Sequence, residues 1–252
     1  VFEVEDTLKR AGAIHGHKGK LVKGAVKVGD AALLTIDSAR RNAIRANHSA
    51  THLMHAALQN VLGPHVTQKG SLVEADRLRF DFAHGAGLSR AEIDAIEAEV
   101  NAVVRQNTEA STRLMTPDEA IAEGAMALFG EKYGDEVRVL AMGRKLSHAP
   151  KSYSVELCGG THVGRTGDIG SFVIVSEGAV AAGVRRIEAA TGQAALDHLK
   201  AEAAIARAAA EPLKAQLPDL PARIEAMIAD RKRLEKELTD AKQKLALGGG
   251  GG

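Results

Sequence analysis

Between Gly192 and Gly248 the sequence runs without a glycine. That stretch is rich in Ala, Lys, Glu, Leu and Arg, while the chain before it is punctuated by glycine throughout. Strong helix formers on one side and turn-forming residues on the other exclude a single uniform architecture. Pro212, Pro218 and Pro221 break the glycine-free stretch into two helices. In the second, Ile224, Met227, Leu234, Leu238, Ala241 and Leu245 follow a 3-4 repeat that Arg231 interrupts. The pattern predicts a helical hairpin or short coiled coil over 193–247, with a stripe suited to pairing with a second copy. The glycines at 248–252 read as a flexible linker.

The first forty residues predict short strands. Gly12, Gly16, Gly19, Gly24 and Gly29 separate apolar pieces such as Leu21–Val22 and Ala31–Ile36, and Lys27-Val-Gly-Asp30 is a turn signal. A small β-barrel or meander over 1–40 is the expectation. From Arg40 the pattern turns helical and stays so up to Gly63–Pro64. Residues 78–82, LRFDF, alternate as a strand does. Ser89–Glu92 and Thr116–Glu119 are capping boxes, and Ile93, Ile96, Val100 and Val103 follow the first at helical spacing. Strands are expected at 136–142 and 152–157, and a strand pair closes the unit before Gly192. The whole reads as α+β: a small N-terminal β-barrel, a mixed unit at 41–192, and the helical tail.

Composition narrows the function classes. Lys and Arg number 33 against 32 Asp and Glu, so a nucleic-acid surface has to be a local patch. Aromatic residues are 3% with no Trp, which argues against a base-stacking platform. The single cysteine rules out an internal disulfide framework and fits a reducing, cytoplasmic compartment. No apolar run approaches the roughly 18 residues that a membrane span needs. The opening residues carry neither an initiating Met nor a signal-peptide pattern, so the chain reads as a piece of something longer.

Two short segments carry chemistry. His48-Ser-Ala-Thr-His52 places two imidazoles at i, i+4 on one helical face. Cys158-Gly-Gly-Thr-His162 places a thiolate and a third imidazole around a Gly-Gly turn at a strand end. Three nitrogens and one sulfur suit zinc. Taken alone, the helical pair could be chance among ten histidines, and Cys158 a small buried residue. His55, nearly on the same face, is too far along the helix to share an ion with His48 and reads as a packed or supporting residue. His15, His17, His65, His84, His148 and His198 read as ordinary surface or turn residues. No Glu follows His48, so the metalloprotease motif is absent.

The segments NHSATHLMHAAL, QKGSLV, LRFDF, ELCGGTHV and GDIGSFVIVSEGAVAAGVRRIEAATG together resemble the editing domain of bacterial alanyl-tRNA synthetases over about residues 1–192. Free-standing alanyl-tRNA editing proteins and the editing domain of threonyl-tRNA synthetases share the metal-binding pattern. The Arg-Ile-Glu-Ala ending and the helical tail favour the alanyl family. The resemblance implies one zinc per chain held by His48, His52, Cys158 and His162. It also implies an editing-pocket residue in Gln68, which would otherwise read as a loop glutamine. The implied reaction is hydrolysis of Ser-tRNA(Ala) and Gly-tRNA(Ala), mischarged forms of the partner tRNA. The ATP-binding aminoacylation domain and the C-terminal globular domain of that family have no counterpart in the sequence, so no aminoacyl-adenylate is expected. Candidate tRNA contacts are Arg40, Arg41, Arg45, Arg185 and Arg186, with Lys18, Lys20, Lys23 and Lys27 in the first segment. A free-standing editing protein and a non-catalytic, zinc-stapled tRNA-binding module are the rival readings.

Overall fold

The computed structural model describes residues 1–10, 14–125, 134–146 and 152–248. Two compact units divide between Asp37 and Ser38. The division falls slightly before the expected 40/41 boundary because the long helix α1, Ser38–Leu62, already includes Ser38.

In the first unit β1 (Phe2–Arg10) pairs antiparallel with β2 (Ile14–Leu21). Residues 22–37 add no strand, so the apolar piece Ala31–Ile36 is not the strand its composition suggests. In place of a small closed barrel, the described part of this unit is a two-stranded sheet. Two strands do not close on themselves, and Val4, Val28 and Leu33 lie exposed instead of meeting across a core.

In the second unit α1 is followed by β3 (Gln68–Val73), β4 (Leu78–Ala83), α2 (Arg90–Arg105), β5 (Ser111–Met115), α3 (Pro117–Ala122), β6 (Val137–Arg144) and β7 (Ser152–Leu157). A 3-10 turn at Thr166–Ile169 leads to β8 (Phe172–Ala181) and β9 (Val184–Thr191). One antiparallel sheet has the order β3-β4-β9-β8, the other β5-β6-β7. Both predicted capping boxes form: the Ser89 and Thr116 side chains accept from the backbone N–H of Glu92 and Glu119, whose carboxylates reach back to the cap N–H groups. The capped α2 lays Ile96, Val100 and Val103 against the core. Helix α1 ends where expected, Gly63 taking φ 118° and donating its N–H to the Gln59 carbonyl.

Helix α1 is the central element. It contacts α2 and strands of both sheets, and its residues 49–58 are all buried. Leu53, Met54 and Leu58 join Phe80, Phe82 and Ile187 in the core. The histidine pair therefore sits on a helix held from several sides.

The tail contains α4 (Gly192–Ala210), a 3-10 turn at Leu217–Asp219 and α5 (Leu220–Gly248). Thus two helices form, as the prolines predict. Residues 221–247 of α5 are exposed on every face, however, and its stripe of Ile224, Met227, Leu234, Leu238 and Leu245 is unburied. Among the described residues no helix covers this stripe, so the expected packed hairpin is not formed there. His148 and glycines 249–252 lie outside the described residues. No helix among the described residues is long and apolar enough to cross a membrane.

Candidate metal centre

The two motifs meet although 106 positions separate His52 from Cys158. Helix α1 presents His48 and His52. The turn after β7 presents Cys158 and His162. One ligand atom from each of the four lies within 4.8 Å of the others. Cys158 Sγ is 3.3 Å from His162 Nε2 and 3.6 Å from His48 Nε2.

Each imidazole is oriented by a bond on its other nitrogen. His52 Nδ1 donates to Glu156 Oε2 at 2.6 Å. His48 Nδ1 donates to the Thr161 carbonyl at 3.3 Å. His162 Nδ1 lies 3.2 Å from Ser49 Oγ, which also accepts the Val163 N–H. All three rings thereby turn Nε2 inward, the arrangement that metal-binding histidines need. His52 Nε2 is buried with no hydrogen-bond partner among the described residues. An orphaned nitrogen facing two further imidazoles and a thiol fits a metal ion, and a donor set of three nitrogens and one sulfur fits zinc.

The sulfur is prepared as well. Burial opposes ionisation of Cys158, but hydrogen bonds with His162 and His48 outweigh it and bring the thiol down to about 3. Burial likewise disfavours the charged form of His52, yet the Glu156 carboxylate beside it raises the ring to about 10. Glu156 moves the opposite way: despite complete burial, which disfavours its charge, the charge and hydrogen bond of His52 hold it down to about 2. Burial lowers His162.

The Cys158–Gly160 turn is clamped from β6. Arg138 Nε donates to the Cys158 carbonyl at 2.9 Å, its Nη2 donates to the Gly160 carbonyl, and the Gly160 N–H points at Sγ at 3.5 Å. Gly160 has no room for a side chain, since a Cβ there would sit 2.8 Å from His48 Nδ1 and closer still to Cε1.

The other expected site residues are scattered. Gln68 opens β3 opposite Phe82, on a strand rather than in a loop. It lines neither of the two hollows of about 290 and 330 Å³ that flank His162 and Val163. Arg45 lines both hollows, and Arg138 lines the first. The Nε of Arg45 is buried and unpartnered among the described residues. Arg40 and Arg41 occupy the first turn of α1. Arg185 and Arg186 alternate on β9 and are spent within the sheet: Arg185 grips Glu177 at 2.5 and 2.7 Å, and Arg186 grips Asp81 at 2.7 and 2.8 Å. His55 is buried against Phe80, as a packed residue should be.

Sequence reasoning missed Glu156, Arg138 and Ser49. A signal existed for the first: Glu156 precedes Cys158 by two positions at a strand end, so both point to one side. Ser49 and Arg138 had none, because their roles depend on contacts across the fold.

Residues 137–188 match the family model described as the threonyl and alanyl tRNA synthetase second additional domain. That span carries Cys158 and His162 but not the histidine pair of α1. The chain is 61% identical over 251 residues to an alanine–tRNA ligase of Hyphomonas neptunium, covering 100% of the chain and 28% of that protein. It is 60% identical over 248 residues to the alanine–tRNA ligase of Rhizorhabdus wittichii and 59% over 248 to that of Caulobacter vibrioides, in each case covering 98% of the chain and 28% of the relative. The chain thus spans little more than a quarter of the curated relatives it matches.

Proposed function

We propose that this chain, similar along its whole length to a segment of bacterial alanine–tRNA ligases, is an editing unit that hydrolyses the ester of tRNA(Ala) mischarged with serine or glycine, in a cytoplasmic setting. The observation that carries this reading is the cluster of His48, His52, Cys158 and His162 beside an arginine-lined hollow. Zinc held by those four residues, which leave it no open position, would serve as a fixed point that orients the substrate. Arg45 and Arg138 give the hollow a cationic edge suited to the phosphate nearest the aminoacylated end. Gln68 lines neither hollow, and the resemblance alone supports its proposed role of hydrogen-bonding the attacking water or the ester carbonyl without adding charge. Arg40 and Arg41 remain candidate RNA contacts. Arg185 and Arg186 are weaker ones, because their charges are already paired.

A second site answers a physical need. A pocket sized for alanine cannot exclude glycine by size, and it rejects an added hydroxyl by only a few kcal/mol. A hydrolytic site can instead require the serine hydroxyl, leaving buried polar groups unpaired when alanine occupies it.

The test is deacylation of Ser-tRNA(Ala) against Ala-tRNA(Ala). Serine release should dominate. Gln68→Ala should slow it with zinc content unchanged, and Cys158→Ala should lose both zinc and activity. One observation favours a second reading: four protein ligands complete a tetrahedral shell, as in a structural zinc staple. Zinc-loaded protein that releases no serine would decide for the staple.

A further inference from the structure

Glu156 is 5% exposed and lies at the end of β7 with its carboxylate between two histidines of α1. On one side Oε2 is 2.6 Å from His52 Nδ1. On the other, Oε1 is 3.5 Å from Nδ1 of His55, a residue 2% exposed whose ring packs on Phe80 at 5.1 Å between centroids. Ser154 Oγ donates to Oε1 at 3.5 Å. A carboxylate in such a position is costly unless its charge serves something.

The hydrogen bond itself dictates what that is. An ionised carboxylate only accepts, so the proton between Glu156 and His52 belongs to Nδ1. When a cation binds, the ring gives up the proton on Nε2 and keeps the one on Nδ1, so the lone pair facing the ion is that of Nε2, the buried, unpartnered atom of that ring. Charge leads to the same conclusion. With the ion bound and the ligands deprotonated, three neutral imidazoles, one thiolate and a divalent ion sum to a single positive charge. The carboxylate of Glu156 brings the buried centre to neutrality.

We propose that Glu156 is the positioning residue of the metal centre: held between His52 and His55, it fixes His52 to donate through Nε2 and neutralises the charge that the ion brings. This rests on the metal-binding half of the function proposed above and not on the deacylation.

The experiment measures zinc affinity by competition with a chelating dye for the whole chain, Glu156→Gln and Glu156→Ala. It also records the visible spectrum of each after cobalt substitution. Glu156→Gln keeps the shape and removes the charge, and about 10-fold weaker zinc binding is expected; Glu156→Ala frees the ring, and about 100-fold is expected. The cobalt bands should shift and weaken in the same order. A carboxylate with a merely structural role would lower the melting temperature of the metal-free protein and leave both metal readouts unchanged. Affinity within twofold of the parent, with an unchanged cobalt spectrum, overturns the assignment. Nitrogen-15 NMR of the zinc-loaded parent decides the matter even if the variants fail to fold: Nε2 coordination with protonated Nδ1 at His52 supports the assignment, and Nδ1 coordination overturns it. A parent chain that takes up no zinc sinks the metal reading, and this assignment with it. A zinc-loaded parent without deacylase activity sinks only the deacylation.

Discussion

Gly160→Ala should weaken metal binding at the His48, His52, Cys158 and His162 cluster, while Gly159→Ala should not. A Cβ at Gly160 would lie 2.8 Å from His48 Nδ1, and ordinary contact begins at 3.4 Å. The His48 ring would therefore have to retreat by at least about 0.6 Å. Metal–ligand distances tolerate only about 0.2 Å, so one of the four ligands is lost or badly strained, and its bond to the Thr161 carbonyl goes with it. A Cβ at Gly159 meets nothing within 4 Å. The two variants carry the same added methyl, one residue apart, in the same turn. Zinc binding to Gly160→Ala is expected to weaken at least about 10–100-fold, the scale seen when groups orienting a ligand are removed. At fixed free zinc, a 100-fold loss removes up to about 2.7 kcal/mol of metal-linked stability. Chelator competition and melting with and without zinc would measure this. Both variants should melt close to the parent without zinc, and only Gly160→Ala should fall behind with it. Equal zinc affinity in the two variants would refute the argument from crowding.

Asp81 pairs with Arg186 directly across β4 and β9, and the guanidinium's hydrogen bonds hold its carboxyl below the ordinary value of 3.8. A depressed carboxyl stabilises the fold above its ordinary value and loses that contribution as pH falls through the folded one. Asp81→Asn should therefore destabilise by about 1–2 kcal/mol at pH 7, the range for a hydrogen bond to a charged group with some solvent exposure; urea titrations should show the gap to the parent narrowing below pH 4. Removing residues 220–252 should leave zinc content unchanged, because every ligand lies on α1 or the Cys158–His162 turn. The same deletion should abolish any self-association through the exposed stripe of α5, read by light scattering at two concentrations.

Much of the local structure was legible in the residues because local chemistry decides it. The two capping boxes start their helices where Ser89 and Thr116 stand, Gly63 ends α1, and the alternation of LRFDF makes β4. The four clustered residues were legible as candidate metal ligands for a different reason: residue types that can bind zinc are few, and their spacing around a helical turn and a Gly-Gly turn is short-range. What the sequence left open was decided by contacts between distant segments. Isolated apolar pieces in 1–37 predicted a barrel, but strand number depends on pairing, which no single strand encodes. A heptad stripe promises a partner without saying whether this chain supplies it, and α5 remains exposed. Arg185 and Arg186 read as free cations until β9 was seated between β4 and β8, where Asp81 and Glu177 take their charges. Glu156 and Arg138 meet His52 and the Gly-Gly turn only because β6 and β7 bring them there. The candidate ligand types were thus written in the sequence, whereas the orientation of their rings belongs to the tertiary structure, because it depends on a neighbour about a hundred residues away.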